Sequence, residues 1–73
     1  MTTNEAIKLV RLSGNVYGEV RVAHDLQWMQ LRKSSVIEYL ERVPRGMPCP
    51  VVVEREPNPD VPGDFDIWLF PND

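Results

Sequence analysis

The sequence predicts a small α+β domain, an antiparallel sheet of about four strands with one or two helices packed on one face, in the order α-β-β-α-β-β. Three observations carry this expectation. Residues Val16 to Leu31 alternate apolar and polar with a period of two on both sides of a single turn. An apolar stripe at helical spacing follows at once, and a β-branched triplet and a second alternating segment close the chain. All seven prolines lie between Pro44 and Pro71, so a regular part ends near Val43 and an extended, proline-punctuated part follows. The 73 residues are read as one domain without internal repeats.

The N-terminal Thr2-Thr3-Asn4-Glu5 is a capping box, and Ala6 to Leu12 followed by Gly14 at the C′ position fits a short helix. For residues 4–12 the alternative is a strand, pairing Lys8–Leu12 with Val16–Val20 across Ser13-Gly14-Asn15. Apolar residues on both parities favour the helix.

Val16 to Val43 organises the rest. A turn at Ala23-His24-Asp25-Leu26 sets Val22 opposite Gln27, Val20 opposite Met29, Gly18 opposite Leu31 and Tyr17 opposite Arg32. Val16, Val20, Val22, Met29 and Leu31 then share a core face. Tyr17, Glu19, Arg21, Trp28, Gln30 and Arg32 share the other, where Trp28 is expected to cover a neighbouring element, the alternative being that Arg21 opposite it stacks as a cation on its ring. Ser35-Val36-Ile37-Glu38 reads as a second capping box. Behind it Val36, Ile37, Leu40 and Val43 form one stripe, with Glu38, Glu41 and Arg42 turned outward and Pro44 and Gly46 ending the helix.

Val51-Val52-Val53 begins a third strand that runs to about Arg55, and the loop Glu56 to Asp64 is stiffened by three prolines. The last strand, Phe65 to Phe70, carries Phe65, Ile67 and Leu69 on one face and Asp66, Trp68 and Phe70 on the other. A strand apolar on both faces is either central in a covered sheet or exposed at an interface.

The residues that bear chemistry are sparse. His24 is the sole histidine, expected at a hairpin tip, and Cys49 is the sole thiol, flanked by prolines. Asp60, Asp64 and Asp66 crowd one loop without the ligand spacing of a calcium loop. Glu54 and Glu56 fall on one strand face as a solubilising edge, and no phosphate-cradling glycine motif occurs. The expectation is therefore no catalytic residue, no metal and no cofactor. A single cysteine suits a reducing compartment, no apolar run approaches the ~20 residues of a membrane span, and no secretory signal is visible, so a cytoplasmic location is expected.

What remains is a surface for a partner. Its candidate residues are Tyr17, Arg21, Trp28, Arg32, Lys33, Trp68 and Phe70. Basic side chains among aromatics suit nucleic acid, and the hairpin-to-helix step loosely resembles the wing and following helix of small excisionase-like proteins. That resemblance implies a nucleic-acid-binding accessory role, although no helix-turn-helix precedes the hairpin. Charge points the other way. Residues 1–45 hold seven basic and five acidic side chains, residues 46–73 one basic and six acidic, and the pI is about 5.0. The reading taken is a non-enzymatic protein-protein interaction domain, a small regulator or inhibitor of the phage or mobile-element type that binds a host protein. A homodimer packed aromatic face to aromatic face is the other way to cover the same surface.

Overall fold

The computed structural model describes residues 1–72, with the backbone alone at Val20, Arg21 and Val22. It comprises α1 (Thr3–Leu12), β1 (Val16–Val22), β2 (Asp25–Leu31), α2 (Lys33–Glu41), β3 (Val51–Pro57) and β4 (Phe65–Pro71), the expected order. The four strands make one sheet in the order β2-β1-β4-β3, and both helices send their apolar stripes to the same face of it. The core consists of Ala6, Ile7 and Val10 from α1, Val36 and Leu40 from α2, Val16, Ile67 and Leu69 from the two central strands, and Cys49 from the connection. Among the described residues no helix is long and apolar enough to cross a membrane.

The sheet is mixed, which corrects the antiparallel expectation. β1 pairs antiparallel with β2 and β3 with β4, but β1 and β4 run parallel, with Val16, Tyr17 and Gly18 facing Ile67, Trp68 and Leu69. The reason lies in α2. One helical crossover between two hairpins sends β3 off parallel to β2, so the inner strands of the two hairpins point the same way and are parallel once adjacent. They are adjacent because β4, apolar on both faces, is the strand that gains most from a central place.

The hairpin register also differs from expectation, by two residues. Val22 faces Asp25, Val20 faces Gln27, Gly18 faces Met29 and Val16 faces Leu31, so the loop is the two residues Ala23-His24 instead of four. Ala23 takes φ 58°, the positive value that a two-residue hairpin turn requires at its first position. An even shift preserves strand parity, so Val16 and Leu31 still turn to the core and Tyr17, Glu19, Trp28 and Gln30 to the outer face, but Met29, expected in the core, is 46% exposed on the edge strand and takes no part in it. It does not preserve partners: Trp28 faces Glu19, while Arg21 faces Leu26.

The Thr2–Glu5 box is present, with Thr2 Oγ1 accepting from the Glu5 amide at 3.1 Å and the Glu5 carboxylate accepting from the Thr2 amide at 3.3 Å. The Thr2 backbone bond, then its side-chain bond, holds the Glu5 carboxyl below its ordinary value. This contribution is in force above the ordinary Glu range and is lost as pH falls through the lowered value. The second box is not formed. α2 starts three residues earlier, with Arg32 at the N-cap and no side-chain cap, and Ser35 and Val36 both donate to the Arg32 carbonyl. Because β2 continues to Leu31, the chain turns helical before the Ser35 amide is a free donor. Nor is Gly14 a left-handed cap: the positive-φ glycines are Gly46 and Gly63. Gly14 lacks a side chain for space, since a Cβ there would sit 3.2 Å from the Asp66 carboxylate.

Leu40, 1% exposed, sits where both helices meet the sheet. Leu40→Ala is expected to cost about 2–5 kcal/mol in urea unfolding, and a loss under about 0.5 kcal/mol would remove it from the core. At Gly18 an added Cβ would lie 2.5 Å from Leu31 Cδ1. Gly18→Ala is therefore expected to cost about 1–3 kcal/mol through displacement of Leu31. In a Leu31→Ala background the same change should cost much less, which a double-mutant cycle measures.

Candidate partner-binding face

The strand period leaves a second face without a helix. On it β1 places Tyr17 and Glu19, β2 places Trp28 and Gln30, β4 places Asp66, Trp68 and Phe70, and β3 places Val52, Glu54 and Glu56. Tyr17 and Trp68 face each other across the parallel seam and their rings stack, with centroids 4.7 Å apart. Trp28 leans over β1 to set its edge against Trp68 at 5.0 Å and Phe70 at 5.1 Å. Offset and edge-on pairs of this kind each contribute about 0.5–1.5 kcal/mol beyond area burial. The cluster is self-packed, so it forms a platform and not a cage around a ligand.

The platform has an acidic border. Trp68 Nε1 donates to Glu56 Oε2 at 2.6 Å, Glu54 lies opposite Trp68 on β3, and Glu19 lies opposite Trp28. Asp66 is occupied differently: its Oδ1 accepts from the Asn15 backbone at 3.1 Å, from Asn15 Nδ2 at 3.3 Å and from Asn58 Nδ2 at 3.3 Å. Asn58 in turn accepts from the Asp60 and Val61 amides, which ties the proline loop to the start of β1. Asp66 thus holds loops together, and among the described residues no three potential metal-ligating side chains converge.

The seven candidate residues are not all brought together. Tyr17, Trp28, Trp68 and Phe70 form one cluster. The side chain of Arg21, and with it the alternative of its stacking on Trp28, lies outside the described residues; by register its backbone faces Leu26. Arg32 is exposed at the N-cap of α2, at the mouth of a cleft of about 370 Å³. This cleft lies between α2 and the sheet, lined chiefly by Leu31, Val36, Tyr39, Leu40, Val51 and Leu69, and sequence periodicity does not announce it. Lys33 is turned to the helix layer, where its Nζ donates to the Ser13 carbonyl at 2.7 Å and the Arg11 carbonyl at 3.2 Å. It therefore satisfies carbonyls that α1 leaves open at its C-terminus, which corrects its assignment to the aromatic surface. Glu56 is the residue that sequence reasoning undervalued. Its place opposite Asp66, diagonal to Trp68, comes from the β3–β4 register, which local alternation does not give.

His24 is exposed in the turn and Cys49 is buried in the core, its carbonyl accepting from Asn72 Nδ2 at 2.9 Å. No protein family matches this sequence, and no curated protein or solved structure matches it either.

Lys33→Met should lower stability by about 1 kcal/mol through loss of the α1 cap, measured by thermal or urea unfolding. Contacts made through the aromatic platform should be unchanged. A loss of partner capture without a loss of stability would return Lys33 to the binding surface.

Proposed function

We propose that this chain is a non-enzymatic protein-binding domain that docks its partner on the open, aromatic face of the sheet. The observation that carries this reading is the four-ring cluster of Tyr17, Trp28, Trp68 and Phe70 on a face that no described element covers. Tryptophan and tyrosine in such a patch are the side chains that most often dominate interface energetics. Around them Glu19, Glu54 and Glu56 favour a partner that presents apolar groups flanked by basic ones. In a domain of 73 residues, such binding acts by occupying or masking a surface of a larger protein. That is the action of a small regulator or inhibitor, of the kind phages and mobile elements direct at host proteins.

Nucleic acid is the weaker reading. The same three carboxylates repel phosphate, and Lys33 is spent on α1. No retardation of duplex or single-stranded DNA is therefore expected even at low salt.

The test is capture from lysate by immobilised wild type, Trp68→Ser and Tyr39→Ser, each first checked for folding by circular dichroism. Tyr39 is 56% exposed beside the α2 cleft and off the aromatic platform. A protein retained by wild type and Tyr39→Ser but lost by folded Trp68→Ser supports the reading. Loss with Tyr39→Ser alone would move the site to the cleft, and equal retention by all three would remove the aromatic face from binding.

A further inference from the structure

The sheet has two edges, β2 and β3, and they differ in chemistry. β3 carries Glu54, Arg55 and Glu56, ends on Pro57 and is preceded by Pro48 and Pro50, the charges and prolines that keep an edge from pairing. β2, reading Asp25-Leu26-Gln27-Trp28-Met29-Gln30-Leu31, has one charge at its first residue, no lysine and no proline. Residues 25–30 are all exposed, with Leu26, Trp28 and Met29 between 43% and 54%. Apolar side chains thus emerge on both sides of an edge that has none of the usual protection. The hairpin also outruns its support: β1 pairs with β2 over seven residues but with β4 over only three.

We propose that this edge is completed by a second copy of the chain, whose β2 adds antiparallel about a two-fold axis at Trp28, making one continuous eight-stranded sheet. The proposal does not rest on the partner reading above, since it uses the edge of the sheet and not its face.

The phase of the hairpin favours it. In a two-residue hairpin the residues flanking the loop, here Val22 and Asp25, exchange their backbone bonds, and the pattern alternates outward. Gln27, Met29 and Leu31 therefore turn their amides and carbonyls to β1, while those of Leu26, Trp28 and Gln30 face away from the sheet. The Trp28 ring leans inward against Trp68 and Phe70, which leaves the backbone edge clear. Pairing about Trp28 sets Leu26 opposite Gln30 of the second copy and Trp28 opposite its own equivalent. Both are pairs whose free groups face each other, giving about six new backbone bonds.

Charge agrees. In this register Asp25 meets Leu31 and Gln27 meets Met29, so the one carboxylate never faces its copy. The same operation on β3 about Arg55 would set Arg55 against Arg55 and Glu54 against Glu56, an arrangement that like charges disfavour. Sheet extension about an axis normal to the sheet keeps both open faces on one side. The two ring clusters become one platform, with the two Trp28 side chains at its middle.

Sedimentation and hydrogen exchange test this. Wild type should sediment as a dimer at about 100 μM, with the Leu26, Trp28 and Gln30 amides gaining protection as concentration rises and the β3 edge gaining none. Leu26→Pro removes an outward donor while sparing the bonds to β1. The double variant Gln27→Lys/Met29→Lys brings lysines face to face without touching the aromatic platform. The lysine variant should keep its circular dichroism spectrum and weaken the dimer roughly tenfold or more. Leu26→Pro should be monomeric if it folds, and if it does not, the lysine variant and wild-type exchange still decide. A monomeric wild type at that concentration overturns the proposal, as does a dimer that survives the lysine variant and dissociates with Trp68→Ser, which would pack face to face.

Discussion

The parallel seam between β1 and β4 is the constraint on which the structure depends. Only three residues of β1 pair with β4, yet this contact joins two hairpins that otherwise have separate ladders. Its inner side buries Val16 against Ile67, both fully excluded from solvent, and its outer side stacks Tyr17 on Trp68. The seam is locked at one end by Asp66, whose carboxylate collects donors from Asn15 and Asn58, and by Ile67, whose amide donates to the Asn15 carbonyl at 3.0 Å. Gly14 is part of the same lock: it leaves room for that carboxylate and donates its own amide to the Phe65 carbonyl at 2.8 Å.

The seam also decides why one domain has one dry face and one aromatic face. Two short helices suffice to cover a single side of four strands, and they are held together there. Lys33 reaches from the first turn of α2 to the last carbonyls of α1, while Arg11 meets Glu41 at 3.4 Å across the helix surfaces. That pair is exposed and adds little; the lysine, sheltered between the helices, adds more. With both helices committed, the outer residues of the central strands have no lid, and the sequence fills those positions with rings. The rings pack on one another and on the Glu56 carboxylate, which lowers the cost of leaving them in water but leaves their outer surface available.

A self-pairing β2 edge and a docking platform are compatible uses of this architecture. The first engages backbone groups at the rim of the sheet, and the second engages side chains on its face. Trp28 belongs to both because its backbone faces outward while its ring leans inward. The groups that resist association, Glu54, Arg55, Glu56 and Pro57, are concentrated on the opposite edge.

Much of the fold is legible in local sequence. The period of two in Val16–Leu31 and Phe65–Phe70, the Thr2–Glu5 box, and the Val36–Leu40 stripe each name an element through interactions only a few residues long, so its type and its faces can be read from the chain alone. The aromatic membership of the open face was legible for the same reason, since parity within each strand decides it. Partners across space were not. Whether the hairpin loop has two residues or four, whether β1 meets β4 parallel, and whether Lys33 faces a ligand or the end of α1 depend on which strand lies beside which. Local alternation is the same in either register and in either direction. Long-range packing made those choices: Leu31 fills the space over Gly18, α2 reverses the chain between the hairpins, and β4 takes a central place, burying Ile67 and Leu69 under the helices and stacking Trp68 on Tyr17 of β1.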